Sequence, residues 1–262
     1  MVFGAWMQCE DRNMRKAKLG ARVFSLLVLL LLLSLNACSR YPSTYSAEAI
    51  EAWVIDGKTK KPIEGVVVTA NWELEVGTLG GNIPAGQLMV MESMTDKSGR
   101  FYFPSWGPKR RPRGTFNLFA SRPHLVYSDP QLLLFKRGYE YLRLRNKIIS
   151  DYNTGGLRKS DWSGRTIELK PFAGTIKAYE NQFEWFNRYL ERVAADVPEE
   201  CGWKKIPNTI RAMNRERMHL IAQGVDPNTL SSIDQRLLLN DEYFAKKGGC
   251  GSPRALLEDL QK

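Results

Sequence analysis

The side chains of this 262-residue chain with most chemical capacity are four cysteines, two histidines, seven tryptophans and one dense run of cations. Cys201 and Cys250 have no further Cys or His at ligand spacing to complete a tetrahedral set, so neither a metal nor a cofactor is expected. As an even pair in an oxidising compartment they would join as a disulfide. Closing a loop of about 50 residues would stabilise the fold by on the order of 4 kcal/mol in the chain-entropy account. His124 sits in Arg-Pro-His-Leu and reads as a loop residue. His219 lies in a helical pattern beside Met218 and Leu220. Neither has an acid–base partner at close spacing. The chain has no Gly-x-Ser-x-Gly elbow, no His-Glu-x-x-His and no phosphate loop, so no catalytic residue is assigned and a non-catalytic role is expected. An enzyme with an unrecognised site is the remote alternative.

Two sets of residues suit binding. Lys109, Arg110, Arg111 and Arg113 place four cations in five residues. On a loop they could contact lipid or lipopolysaccharide phosphates, worth about 1 kcal/mol each beside an anionic surface. Against this stands a plain solvated loop that blunts a sheet edge. Trp72, Trp106 and Trp162 would stack on a glycan if exposed, or fill the core if buried.

Cys38 takes its meaning from the residues before it. Val23–Leu35 is a run of thirteen residues, apolar except for Ser25 and Ser34. A membrane-spanning helix needs about 20 apolar residues, whereas this length suits the core of a signal peptide. Arg15, Lys16, Lys18 and Arg22 precede it, on the side that stays in the cytoplasm. Leu35-Asn36-Ala37-Cys38 resembles a bacterial lipoprotein box, which implies a diacylglyceryl group on Cys38, a palmitate-type acyl anchor and removal of residues 1–37. An ordinary cleaved secretory signal and an uncleaved anchor are the alternatives. Residues before Met14 carry Trp6, Cys9, Glu10 and Asp11 and make a poor leader start, so translation is expected to begin at Met14 or Met7 rather than Met1. Ser39 follows the cysteine where an Asp would retain a lipoprotein at the inner membrane. The expected location is therefore the cell envelope, at the outer membrane facing the periplasm.

Removing residues 1–37 lowers the net charge from +10 to +7 and leaves 225 residues, enough for one large domain or two small ones. A basic exported protein meets lipid head groups, lipopolysaccharide or cell-wall polymers, not nucleic acid. Ser39–Ala47, polar with one proline, reads with Cys38 as a tether over 38–47.

From residue 48 to 172 short apolar runs alternate with Gly/Pro turns: Glu51–Asp56, Val66–Leu74, Gln87–Met94, Arg100–Phe103, Thr115–Ala120, Gln131–Lys136, Gly138–Arg145 and Arg165–Lys170. Gly77–Gly86 reads as a glycine-rich loop. Val54-x-Asp56-x-x-Thr59-x-x-Pro62-Ile63-x-Gly65-Val-x-Val68 is similar to the first hairpin of carboxypeptidase regulatory-like domains. Thr95-Asp96-x-x-Gly99-x-Phe101-x-Phe103, Gly138-Tyr139 and Thr166-Ile-x-Leu169 resemble their later signatures. The resemblance implies a seven-stranded, prealbumin-like antiparallel β-sandwich that carries no shared catalytic residues. Gly77–Gly86 and Asp151–Ser163 are longer than a compact member needs.

After Pro171 the period changes to that of a helix. Ile176, Tyr179, Phe183, Phe186, Leu190 and Val193 recur at three- and four-residue steps within Thr175–Ala195. Pro207–Gln223 suits a second helix, and Asn228 or Thr229 would cap a third reaching Lys247. A short helix follows Ser252-Pro253. The expected class is mainly β plus α, with a helical region over 173–262. The expected role is a lipid-anchored binding or scaffold module whose partner is an envelope protein. A glycan- or lipopolysaccharide-binding module is the alternative.

Overall fold

The computed structural model describes residues 41–114, 120–147, 156–195 and 201–259. The leader, Cys38 and nearly all of the strand expected at 115–120 lie outside them. Eleven strands form three sheets among the described residues. β1 (Thr44–Ala47), β6 (Trp106–Arg110) and β10 (Leu157–Arg158) run in the order β10-β1-β6. β2 (Ile50–Asp56), β5 (Arg100–Phe103) and β11 (Thr166–Leu169) run in the order β11-β2-β5. The third sheet orders β4 (Gly81–Met94), β3 (Val67–Thr78), β8 (Gln131–Phe135) and β9 (Leu142–Leu144), with β7 (His124–Leu125) also paired to β3. β10 on β1 and β11 on β2 are parallel, and the other pairs are antiparallel.

The chain joins the fold earlier than a tether over 38–47 allows. β1 is paired on both sides, and Tyr45 and Ala47 are buried. The cause is alternation: Tyr45 and Ala47 share the inward face of a short strand, a pattern hidden in a polar-looking segment. The β1 and β2 layers close over the third sheet as a sandwich. Ile50, Ala52, Val54, Phe101, Phe103 and Ile167 meet Val68, Ala70, Trp72, Leu132 and Leu134 in one core.

β3 and β8 are buried on both faces. Their outer face is covered by α1 (Ile176–Ala194) and α2 (Pro207–Ala222). The α1 stripe of Tyr179, Phe183, Phe186 and Leu190 packs with Leu133 and Phe135 of β8. Thr175 caps α1, its hydroxyl accepting from Ala178 N at 3.2 Å. The α2 N-terminus is capped from the sheet. The Glu92 carboxylate of β4 accepts from the backbone N–H groups of Asn208 and Thr209, where the helix dipole favours an anion.

The third helix expected to reach Lys247 is broken into α3 (Ile233–Leu239) and α4 (Asp241–Gly248), after a 3-10 turn at Pro227–Thr229. Asp226 caps that turn by accepting from Asn228 N at 2.9 Å, and Leu230 returns the backbone to an extended conformation. α5 (Pro253–Asp259) ends the described chain. Cys201 and Cys250 are disulfide-bonded with Cα atoms 5.7 Å apart. The bond ties the residue before the 3-10 turn Gly202–Lys205 to the residue after Gly249, which ends α4 in the left-handed conformation. Among the described residues no helix is long and apolar enough to cross a membrane.

Local turn chemistry explains the second signature. Asp96 Oδ1 accepts from Ser98 N at 2.8 Å and from Arg100 N at 3.0 Å. Gly99 has φ +76°, and a Cβ there would lie 2.4 Å from the Val54 carbonyl oxygen.

Candidate functional site

One concavity lies where the start of β3, the end of β8 and the first turns of α2 meet. A cavity of about 320 Å³ has Val67, Met94, Phe135 and Ala212 as its apolar floor, and Lys136, Arg211 and Arg215 on its rim. Its size is at the lower end of ligand pockets. Val67 pairs with both Met94 and Phe135, so the two antiparallel ladders fix that floor. Asn208, Arg211, Ala212 and Arg215 follow at three- and four-residue steps, so α2 turns one face to the groove.

The rim carries uncompensated charge. Lys136 Nζ donates to the Glu64 carbonyl at 2.8 Å, and Arg211 donates to Asn208 Oδ1 at 3.1 Å. Among the described residues Lys136, Arg211 and Arg215 have no carboxylate partner. Arg137 differs, because its Nε donates to buried Glu216 Oε2 at 2.6 Å. This pair separates the groove from a second basin of about 230 Å³, lined by Phe172, Ile176, Tyr179 and His219. Burial pushes the Tyr179 phenol up to about 12 and Tyr141 far above its ordinary value, so both are neutral hydroxyls. None of the residues lining either basin is Ser, Thr or Cys, so neither basin presents a hydroxyl or thiol nucleophile of those types. The arrangement can hold an anion that also carries apolar groups.

The sequence-derived candidates lie elsewhere. Trp72 is fully buried and Trp106 nearly so, and their rings meet edge-on at 5.3 Å in the sandwich core. Trp162 is half-buried, with Nε1 donating to the Arg145 carbonyl at 3.3 Å. The three indoles therefore offer no shared face to a sugar, which corrects the glycan-stacking assignment. Trp72 faces inward because it alternates with Asn71 and Glu73 on a strand covered on both sides. Lys109 and Arg110 belong to β6 rather than to a loop, and Arg111 and Arg113 follow it. Lys109, Arg110 and Arg113 are exposed, and Arg111 is half-buried. Among the described residues no group of three or more His, Cys, Asp or Glu could hold a metal.

His124 does have an acidic partner, contrary to its reading from local spacing. Its Nε2 is 3.2 Å from Glu75 Oε1, and Nδ1 is 3.2 Å from the Arg122 carbonyl. The pair is 49 residues apart in sequence and is made by β7 pairing with β3, so no local spacing could reveal it. The imidazole is fully buried, and Tyr41 stacks on it at 3.8 Å, which leaves it no access to a substrate.

No family model matches the chain, and no curated protein does. Among solved structures, the C-terminal domain of a shaft pilin SpaA from Lactobacillus rhamnosus GG aligns at 12% identity and TM-score 0.22, over 49% of this chain and 98% of that one. A 9R-lipoxygenase from Cyanothece PCC8801 aligns at 12% identity and TM-score 0.22, over 71% of this chain and 25% of that one.

Proposed function

We propose that this protein is a lipid-anchored, non-catalytic binding module of the bacterial envelope, which holds an acidic peptide segment of another envelope protein in the α2–β8 groove. The observation that carries the reading is the pairing of a cationic rim, Lys136, Arg211 and Arg215, with an apolar floor. Such a floor rewards apolar side chains, which a peptide has and a bare sugar acid lacks. The sandwich is read as a prealbumin-like domain of the carboxypeptidase regulatory-like type. β1 and β2 follow one another closely, as do β5 and β6. On this reading each of these pairs, and β10 with β11, counts as one interrupted strand and two-residue β7 is set aside, which would reduce the eleven strands to the seven of that fold. Diacylglycerol on Cys38 would hold the module at the outer membrane, facing the periplasm.

Two measurements test the two halves of this reading. Fatty-acid labelling should mark the wild-type protein and not Cys38→Ser; equal labelling removes the lipid anchor. A fluorescein-labelled peptide of alternating Glu and Leu should bind saturably at low salt, and Arg211→Glu with Arg215→Glu should weaken it at least about tenfold, since charge reversal at a rim acts directly on steering and affinity. Unchanged binding would overturn the groove. Binding of an acidic oligosaccharide in place of the peptide would favour the glycan alternative.

A further inference from the structure

The groove lies at one end of β3, and the point where the chain enters the fold lies at the other. Val67 begins β3 at the groove. Eight residues later Glu75 meets His124, which stacks on Tyr41, the first described residue. At about 3.3 Å per residue the two ends are roughly 25 Å apart along the strand. Cys38 precedes Tyr41 by three residues, a reach of roughly 11 Å at full extension.

What surrounds Tyr41 is distinctive. The β3–β4 hairpin runs on past Glu75, through Val76↔Ile83 to Thr78↔Gly81, and turns at Leu79-Gly80. The segment expected as a glycine-rich loop is thus an ordered hairpin. Thr78 Oγ1 donates to the Gly81 carbonyl at 2.7 Å, and the base is held by Ser121 N donating to the Gly77 carbonyl at 2.7 Å. Leu79 at its tip is 86% exposed, and Ile83 is 52% exposed. Ordered aliphatic side chains in water invite an apolar partner.

The cations converge on the same end. β6 lies along β1 with Thr44 opposite Arg110, and Arg111 N donates to the Ser43 carbonyl at 2.9 Å. Gly114 packs close to Pro123, the residue before His124. Arg110, Arg113 and Arg122 are exposed and have no carboxylate partner among the described residues. The acid at this end, Glu75, lies with Oε1 3.2 Å from His124 Nε2 and is largely buried.

We infer that this end is a membrane-docking face: Leu79 and Ile83 insert at the acyl boundary of an anionic bilayer, while Arg110, Arg113 and Arg122 contact its phosphates. Apolar side chains beside a basic patch add a contact that fixes how an acyl-anchored protein sits on the bilayer. Charge complementarity and the position of the chain entry select a lipid surface over a second copy of this chain. The inference extends the lipid-anchored reading by giving the anchored protein an orientation, with the groove directed away from the membrane.

The test uses the mature chain carrying Cys38→Ser, so its result is independent of lipidation. In co-sedimentation, phosphatidylglycerol-rich vesicles should capture it at least about tenfold better than phosphatidylcholine vesicles, with the difference shrinking in high salt. Leu79→Asp with Ile83→Asp should cut capture several-fold, as should Arg110→Glu with Arg113→Glu and Arg122→Glu. The altered side chains are exposed, and an unchanged melting temperature shows that each variant folds. No preference for anionic vesicles, or variants that bind like the parent, would overturn the inference. Concentration-dependent dimerisation abolished by Leu79→Asp, without vesicle binding, would also overturn it and assign the tip to a second copy.

Discussion

Both ends of the sandwich are basic, yet they differ in shape. At the end where the chain enters, Leu79 and Ile83 protrude on an ordered hairpin. At the other end the apolar residues Val67, Met94, Phe135 and Ala212 form the floor of a groove below their cations. A convex apolar tip enters its partner, whereas a concave floor receives one. The same two ingredients, cations and exposed aliphatic surface, are thus arranged with opposite curvature at the two ends.

The ends also differ in what stabilises them beneath the surface. Behind the entry end lies a buried ion pair, Arg158 Nε to Asp129 Oδ1 at 2.9 Å, with the guanidinium over the Tyr45 ring. Burial pushes the Asp129 carboxyl up to about 7, against the pull of Arg158. At the groove end carboxylates serve as caps and turn acceptors instead, at half-buried Glu92 and at Asp56.

The largest expected effect is at the entry end. Arg158→Ala leaves Asp129 buried without its cation and should cost about 3–5 kcal/mol in urea unfolding; a loss below about 1 kcal/mol would show that the pair is not sealed. Next comes the disulfide within the helical layer. Cys201→Ser should cost about 2–4 kcal/mol under non-reducing conditions, and a variant that melts no lower than wild type would contradict the bond. Glu92→Ala removes the cap of α2 at the groove and should cost about 1–2 kcal/mol. Combined with Arg158→Ala it should add to within about 0.5 kcal/mol, as independent sites do; strong coupling would break the picture of two separate ends.

The smallest effect is a pH signature of the groove end. Asp56 accepts from Thr59 N at 2.6 Å, from Lys58 N at 2.8 Å and from the Tyr139 hydroxyl at 2.8 Å. These bonds, the Thr59 one foremost, hold its carboxyl down to about 2. Because the folded value lies below the unfolded one near ~4, the stabilisation is present above about pH 4 and is lost as pH falls toward 2. Asp56→Asn should flatten stability against pH across that window, and an unchanged slope would contradict the assignment.

Much of the architecture was legible in the sequence because it follows from local rules. Alternation at Ile50, Ala52 and Val54, the Asp96–Gly99 turn, the α1 stripe and the isolated cysteine pair each depend on residues within one element or on pairing by exclusion. The site was not legible. Arg211 and Lys136 are 75 residues apart in sequence and meet only because α2 lies across the end of β8. The tryptophans misled because aromatic type says nothing about which face of a doubly covered strand carries the ring. Gly77–Gly86 misled because glycines that loosen most strands here serve the tip of a hairpin, where Gly81 takes φ +113°.

The opposition of the two ends is tested most directly by two labelled positions on the mature chain with the Cys201–Cys250 bond intact. A polarity-sensitive nitrobenzoxadiazole probe is placed at Leu79→Cys on the tip, or at Lys97→Cys in the exposed turn whose Thr95 carbonyl accepts from Gly65 at the groove. On phosphatidylglycerol-rich vesicles the emission at position 79 should shift to the blue and brighten, while position 97 stays as it is in water. Equal shifts at both positions, or a shift at 97 alone, would contradict the account.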